Sequence, residues 1–297
     1  MIVNTGALRS LYIAFRTDFQ MAFAGVTPRW STVATLVPST TGSNEYGWLK
    51  AFPRVREWIG DRQVNNLGQA DYTIKNKDYE STIGVDRNDI EDDNIGIYKP
   101  VVTEFGRSAA SFPDELVYGL LAAGWDTLCF DGQYFFDTDH PVLAADGSET
   151  SYANTDGGSG APWFLLDDTR AIKPVLYQER KKFQFVAMDS LTDENVFNRK
   201  EFLYGIDGRC NVGFSFPQLC WGSKQDLTAT RYAAARAAMM ALKGDHGRPL
   251  GIRPTLLVCG ASNEGAARKL LMNELGDGGV SNEWKGTARL EVVEWLP

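Results

Sequence analysis

The sequence is short of cysteine, histidine, net basic charge and long apolar runs, and each shortage removes a class of protein. Its four cysteines, Cys129, Cys210, Cys220 and Cys259, show no C-x-x-C spacing. Three of them lie in apolar sequence, where a reduced thiol behaves as a small hydrophobe, so a reducing compartment is expected rather than a disulfide framework. Neither histidine, His140 or His246, is spaced from a cysteine like a known zinc site. A formal charge of −8 over 297 residues argues against a basic face that grips nucleic acid, so any contact with DNA is expected to be weak. No stretch approaches the ~20 apolar residues that span a bilayer, and no signal peptide opens the chain. The expectation is a soluble chain, made in the cytosol, with no membrane partner. A G-x-S-x-G elbow, a phosphate loop ending in Gly-Lys-Ser/Thr and an H-E-x-x-H helix are also missing, which disfavours familiar hydrolases and NTPases. Neither a catalytic residue nor a cofactor is assigned.

What is present is a chain with 43% hydrophobic and 12% aromatic residues, ample for a core. Leu8, Leu11, Tyr12, Phe15 and Phe19 recur at helical spacing, so residues 5–23 are expected to form an amphipathic helix ending near Gly25. Its apolar face has no obvious partner in its own domain. Residues 1–37 carry Arg9, Arg16 and Arg29 against Asp18, a net of +2, which leaves −10 for the rest. Between 44 and 96, aromatics are scattered among charges, and a compact core is not expected there. Residues 55–59, 71–75 and 79–85 read as strands of a long hairpin arm or of an ordinary antiparallel sheet, with turns at Asn65, Asn66 and Gly68 or at Asn76 to Asp78. Trp48 and Trp58 are expected to anchor an interface rather than stack on bases, because Glu57 and Asp61 dilute the field of Arg54, Arg56 and Arg62.

The strongest periodicity runs from Tyr98 through Val101, Val102, Phe105, Ala109, Phe112, Leu116 and Val117 to Leu120, one face over roughly six turns. Pro113 lies inside it, and Gly124 is expected to stop it. A Gly- and Ser-rich surface loop is expected after Pro141, then short strands over 163–216 marked by Phe183, Phe185 and Val186. An alanine-rich helix is expected over 227–243, with Asp226 as N-cap and Gly244 at its end. A buried strand (255–259), a helix (264–275) and a last strand (290–296) complete a mixed α+β chain.

One segment could hold a metal. Asp131, Asp137, Asp139 and His140, within FDGQYFFDTDHP, offer carboxylates and an imidazole. The competing reading is a turn, in which Asp139 accepts backbone N–H groups and Pro141 fixes the exit, and it is preferred. Asp89, Glu91, Asp92 and Asp93 lack calcium-loop spacing and read as a solvated loop. Gly157, Gly158 and Gly160 lack the strand and helix that a phosphate cradle needs.

Five ordered segments carry a resemblance: KDYESTIGVDRNDIEDDNIGIYKP (77–100), SFPDELVYGLL within the long helix, FDGQYFFDTDHP, KEFLYGIDGRCNVGFSFPQLCWGS (200–223) and EWKGTARLEVVEWL near the C-terminus. From about residue 5 onward the chain resembles the Mu-like phage major head subunit family. The resemblance implies the tailed-phage major capsid fold, called the Hong Kong 97-type fold, with an N-terminal arm (1–37) and an extended hairpin loop with flanking strands (38–97). A spine helix and peripheral domain (98–150) would follow, then mixed axial and peripheral segments (151–297). It implies self-assembly as hexamers and pentamers into an icosahedral head enclosing double-stranded DNA, in the virion and, during assembly, the host cytoplasm. Implied partners are other copies, a portal, a separate scaffold and maturation protease, and a possible decoration protein. A cellular nanocompartment shell of the same fold, a metal-dependent enzyme built on Asp131 to His140, and a tail or baseplate protein are the alternatives.

Overall fold

The computed structural model describes residues 3–50, 72–92, 94–276 and 279–297. Asn4 opens helix α1 (Thr5–Gly25) by accepting the Ala7 N–H on its side-chain oxygen at 2.9 Å, which satisfies one orphan donor of the first turn. Leu8, Leu11, Phe15 and Phe19 are buried, and they close on this same chain. Phe15 meets Tyr204 edge to face at 5.2 Å between ring centroids, and Phe19 meets Phe185 at 5.3 Å. The expectation of a face without a partner in its own domain is thereby corrected. After the short helix α2 (Arg87–Glu91), the apolar stripe becomes α3 (Tyr98–Ala122), a single helix through Pro113. Gly106 lets α1 and α3 touch, since a Cβ there would lie 2.6 Å from the Phe19 carbonyl oxygen and 2.9 Å from the Ala22 Cβ. Gly124 does not end α3 through a left-handed conformation. It stays bare because a Cβ would meet the Phe136 ring at 2.6 Å.

Two sheets carry the rest. In the first, Ala34–Pro38 runs parallel to Val175–Met188, which pairs antiparallel with Glu201–Phe214, itself antiparallel to the edge strand Lys77–Asp86. The short strands expected over 163–216 are mostly one long hairpin of two 14-residue strands, joined through α4 (Glu194–Arg199). Exposed charges between the apolar markers conceal its length in the sequence. The second sheet, in the order Arg289–Val292, Leu256–Cys259, Trp163–Leu166, Cys220–Lys224 and Thr155–Gly158, has two central strands buried throughout. Such runs show no alternation because both faces are covered. They are flanked by α5 (Ala229–Ala241) and α6 (Ala261–Leu271), which complete the apolar cluster around Trp163, Leu257 and Cys259.

Several local expectations shift. Helix α5 is capped by Thr228, whose hydroxyl accepts the Arg231 N–H, and not by Asp226. Asn76 to Asp78 do not turn: Thr73–Lys75 pairs with Ser43–Glu45, Asn76 is buried, and the chain runs straight into Lys77–Asp86 in the other sheet. Tyr46, Leu49 and Ile74 are buried in the main core, so the described part of 44–96 is more compact than its composition implies. The loop after Pro141 contains a hairpin, His140–Leu143 with Glu149–Tyr152, and the edge strand Thr155–Gly158. There Gly160 donates to the Lys224 carbonyl at 2.7 Å, and Gly158, at φ +103°, leaves no room for a Cβ against the Lys224 backbone. Close strand approach, not phosphate, accounts for these glycines.

Gly106→Ala is expected to cost the subunit about 1–3 kcal/mol, because the new methyl meets main chain that cannot step aside. Urea unfolding measures it, and a loss below about 0.5 kcal/mol would mean that α1 is free to slide off α3.

Candidate functional site

Three buried polar constructions hold the parts of the chain that the sequence singled out. The first lies where the described chain before Lys50 meets the chain that resumes at Tyr72. Gln178, buried on the long hairpin, accepts the Tyr46 hydroxyl at 2.7 Å and donates to the Ile74 carbonyl at 3.1 Å and to Asn76 Oδ1 at 2.7 Å. Asn76 Nδ2 in turn donates to Ser39 Oγ and the Thr41 carbonyl, both at 2.9 Å, and Ser39 donates to Asn44. Tyr72 accepts the Phe214 N–H at 2.7 Å, and burial raises its hydroxyl to about 12. Both stretches are thus tied to one hairpin by a satisfied network, which rigidifies what it joins. Trp58, with Arg54, Arg56, Glu57, Asp61 and Arg62, and the turn residues Asn65, Asn66 and Gly68, lie outside the described residues. Trp48 packs within this chain, edge to face with Phe216 at 6.0 Å, so its expected place at an interface gives way to core packing.

The second construction anchors the arm. Asp114, buried in α3, accepts the N–H groups of Arg29 at 2.9 Å and Trp30 at 2.6 Å. Burial raises its carboxyl above the ordinary range, against the lowering effect of those two bonds. The Arg29 guanidinium continues to the Val292 carbonyl at 2.5 Å and to Glu291 and Glu294 at 3.5 and 3.7 Å, joining the arm to the C-terminal strand. Asp114 had no role assigned to it from the sequence, because an Asp-Glu pair after a helical proline reads as an ordinary exposed position.

The third is the Asp131 to His140 segment. His140 is fully buried and stacks on Tyr152 with centroids 5.0 Å apart. Its Nδ1 lies 2.7 Å from Asp131 Oδ2 and its Nε2 lies 3.2 Å from the Phe135 carbonyl, so both ring nitrogens face oxygen acceptors. Asp131 Oδ1 accepts the Cys129 thiol at 2.8 Å and the Gln133 N–H at 3.1 Å. Burial alone would raise the Asp131 carboxyl, yet the bonds from His140 and Cys129 outweigh it and hold it below its ordinary value. Burial and the Asp131 carboxylate push the Cys129 thiol well up. The structure brings together Asp131 and His140 with Cys129, and not Asp137 or Asp139. A 2.7 Å separation is a hydrogen bond; two ligands of one tetrahedral zinc, each about 2.0–2.1 Å from the ion, stand about 3.3 Å apart. Asp137 accepts the Thr138 N–H at 2.7 Å and its own N–H donates to Asn154. Asn154, buried and not foreseen, also donates to the carbonyls of Phe135 and Pro217. The segment is a hydrogen-bonded knot, with the Asx-type turn formed by Asp131 and not by Asp139. The acidic run, expected as a solvated loop, is partly helical: Asp89 on α2 accepts the Tyr98 hydroxyl at 2.5 Å, while Asp93 lies outside the described residues.

These constructions join strands, helices and arm through side chains bonded to one another and to main chain. The whole chain matches known building units. The major capsid protein of Escherichia phage Mu is 41% identical over 305 residues, covering 100% of both chains. A chain of the procapsid of bacteriophage JBD30 superposes with a TM-score of 0.86 at 42% identity, over 99% of this chain and 100% of that one. A chain of the JBD30 capsid decorated with minor capsid protein trimers gives 0.77 at 33% identity, over 93% of each. The fold is that of a tailed-phage major capsid subunit. A sequence model of the Mu-like prophage major head subunit gpT matches residues 8–296, and the chain belongs to that family. It is a structural protein of the virion head and not an enzyme. The nanocompartment, metal-enzyme and tail readings are not favoured by a match that runs through the whole chain. No described helix is long and apolar enough to cross a membrane.

Three expectations test the knot. Chelation with EDTA should leave the melting midpoint where it is, whereas a structural metal would make it fall. His140→Ala should cost about 1–3 kcal/mol, since it takes one partner from a half-buried carboxylate that keeps Cys129 and Gln133, and a loss under about 0.5 kcal/mol would remove His140 from the support of this segment. The pH dependence has a defined sign. The folded value of Asp131 lies below the unfolded one of about 3.9. Its contribution is therefore complete above that value and disappears as pH falls through the folded one. The stability gap between wild type and Asp131→Asn should narrow over that acid interval.

Proposed function

We propose that the chain assembles as hexamers and pentamers into an icosahedral shell around packaged double-stranded DNA. The observation that carries this reading is the whole-chain likeness to a procapsid subunit. Residues 1–37 serve as the arm, 38–97 as the extended loop with its flanking strands, 98–150 as the spine helix and peripheral domain, and 151–297 as mixed axial and peripheral segments. The alternation of strands from 155 onward between two sheets supports the last assignment, since the chain passes between the two bodies more than once. A body carrying −10 outside its arm keeps DNA off the wall, so contact with the genome is weak and non-specific. Individually modest contacts summed over a closed lattice provide strength while letting misplaced subunits leave before closure. A separate scaffold and maturation protease, a portal and a decoration protein are the expected partners; the JBD30 capsid decorated with minor capsid protein trimers supports the last.

Electron microscopy with light scattering, on the purified chain alone and with candidate scaffolds, tests the reading. Closed shells, or hexamers and pentamers, are the expected result. A monomer under every condition, with a folded circular-dichroism spectrum, would count against it.

A further inference from the structure

The end of the four-stranded sheet is built rigidly and yet presents an aromatic to solvent. Asn195, buried in α4, donates to the carbonyls of Met188 at 3.1 Å and Glu201 at 2.7 Å, fastening the turn across both strands of the long hairpin. Asp193 accepts the Ser190 N–H at 2.8 Å, and Val196 plugs the turn into the core beneath. On this fixed base Phe197 is 85% exposed, with Met188 and Leu191 exposed beside it. The Arg87 N–H donates to the Lys200 carbonyl at 2.8 Å, which brings α2 to the same end. The end therefore gathers Asp89, Glu91, Asp92, Asp189, Asp193 and Glu194 against Arg87, Arg199 and Lys200, and Arg87 is already paired with Glu91. It is an apolar knob in an acidic setting.

A surface of matching character lies on α1. Its core-facing side is spent on Phe15 and Phe19, and the opposite side carries Arg9, Ile13 and Arg16, three residues at helical spacing and all exposed. Ile13 is 54% exposed, and neither arginine has an ion-pair partner among the described residues. By contrast, Asp18 and Arg29 of the same arm are both paired within the chain. An apolar residue between two cations without ion-pair partners is the counterpart of an aromatic at an end where acids outnumber bases.

We infer that the Phe197 end of one subunit seats on the Arg9–Ile13–Arg16 face of α1 of a neighbouring copy. The inference rests on the capsid reading and assigns one of its contacts. The two surfaces differ, so the contact is heterologous: each copy offers a knob to one neighbour and a seat to another, which propagates into rings and sheets rather than stopping at a dimer. Aromatic and arginine side chains are the residues that most often anchor such contacts, and opposite charge around them selects the partner and its orientation. Phosphate binding by the same two arginines is the competing occupant, and it would not involve Phe197.

The test uses the full chain produced with its scaffold, scored by sedimentation and electron microscopy, with circular dichroism to confirm folding. Phe197→Ser, the pair Arg9→Glu and Arg16→Glu, and the pair Asp92→Lys and Glu194→Lys should each leave melting unchanged and lower shell yield about tenfold. Combining the two charge-reversed pairs should restore most of the yield, because opposite charges meet again. Unchanged yield for Phe197→Ser, or no recovery in the combined variant, overturns the contact while wild-type shells leave the capsid reading standing. Normal shells that merely lose DNA with the arginine pair overturn it in favour of phosphate binding. Absence of wild-type shells with every scaffold overturns the capsid reading and the contact together.

Discussion

The antiparallel ladder between Val175–Met188 and Glu201–Phe214 is the constraint on which the other elements depend. One hairpin enters all three apolar clusters of the subunit. Leu176 belongs to the cluster around Trp163 and Leu257; Val175, Tyr177, Cys210 and Phe214 belong to the one around α3 and Phe135; Phe185, Phe202, Tyr204 and Ile206 belong to the one under α1. Its register slips between Asp207 and Cys210, where the ladder passes from one cluster to the next. Gly208 lies there with the Phe183 ring where a Cβ would be, 2.8 Å away, so the bulge and the bare glycine let the strands twist and change the cores they serve. A one-residue error in this pairing would put Phe185 and Tyr204, which now face one core, on opposite sides of the sheet, so burial fixes the register.

Polar groups are placed where the apolar clusters meet the extensions. Gln178, Asn76, Asp114, Asn154 and His140 are all buried; the first four join segments far apart in sequence, and His140 closes its own loop onto Asp131 and Phe135. Hydrophobic burial sets how much of the chain is compact but is indifferent to direction. Hydrogen bonds at fixed angles specify how the chain at Arg29, Tyr46 and Tyr72 is held to the body, and an unmade one in this setting costs about 1–3 kcal/mol. A subunit repeated many times needs those attachments reproduced in every copy.

Much of this was legible in the sequence, and what was not has identifiable causes. The stripe from Tyr98 to Leu120 announced α3 because a helix buried along one side writes its period into the chain. The edge strand at 79–85 and the buried strand at 255–259 were equally visible. The long hairpin was not, because its outward face is charged (Arg180, Lys182) while its inward face belongs to three different cores. Asn76 looked like a turn residue because its propensity is local, whereas its role is set by Ser39 and Gln178, distant in sequence. At the candidate site, of the four residues singled out, Asp131 and His140 meet and Asp137 and Asp139 do not join them, while Cys129 and Asn154 were missed. A thiol in apolar sequence and an asparagine in a glycine-rich stretch carry no signal until the fold brings them to one carboxylate and one carbonyl.

Pro113 has no N–H for the Ala109 carbonyl, and α3 nevertheless continues through it. In mechanical terms the longest helix of the subunit is a beam with one rung omitted near its middle, and flexure concentrates where a rung is missing. The next residue, Asp114, is the one that grips the arm. The omitted hydrogen bond and the grip on the arm thus fall on adjacent residues, so a change at Pro113 bears on the helix and on the arm's attachment alike.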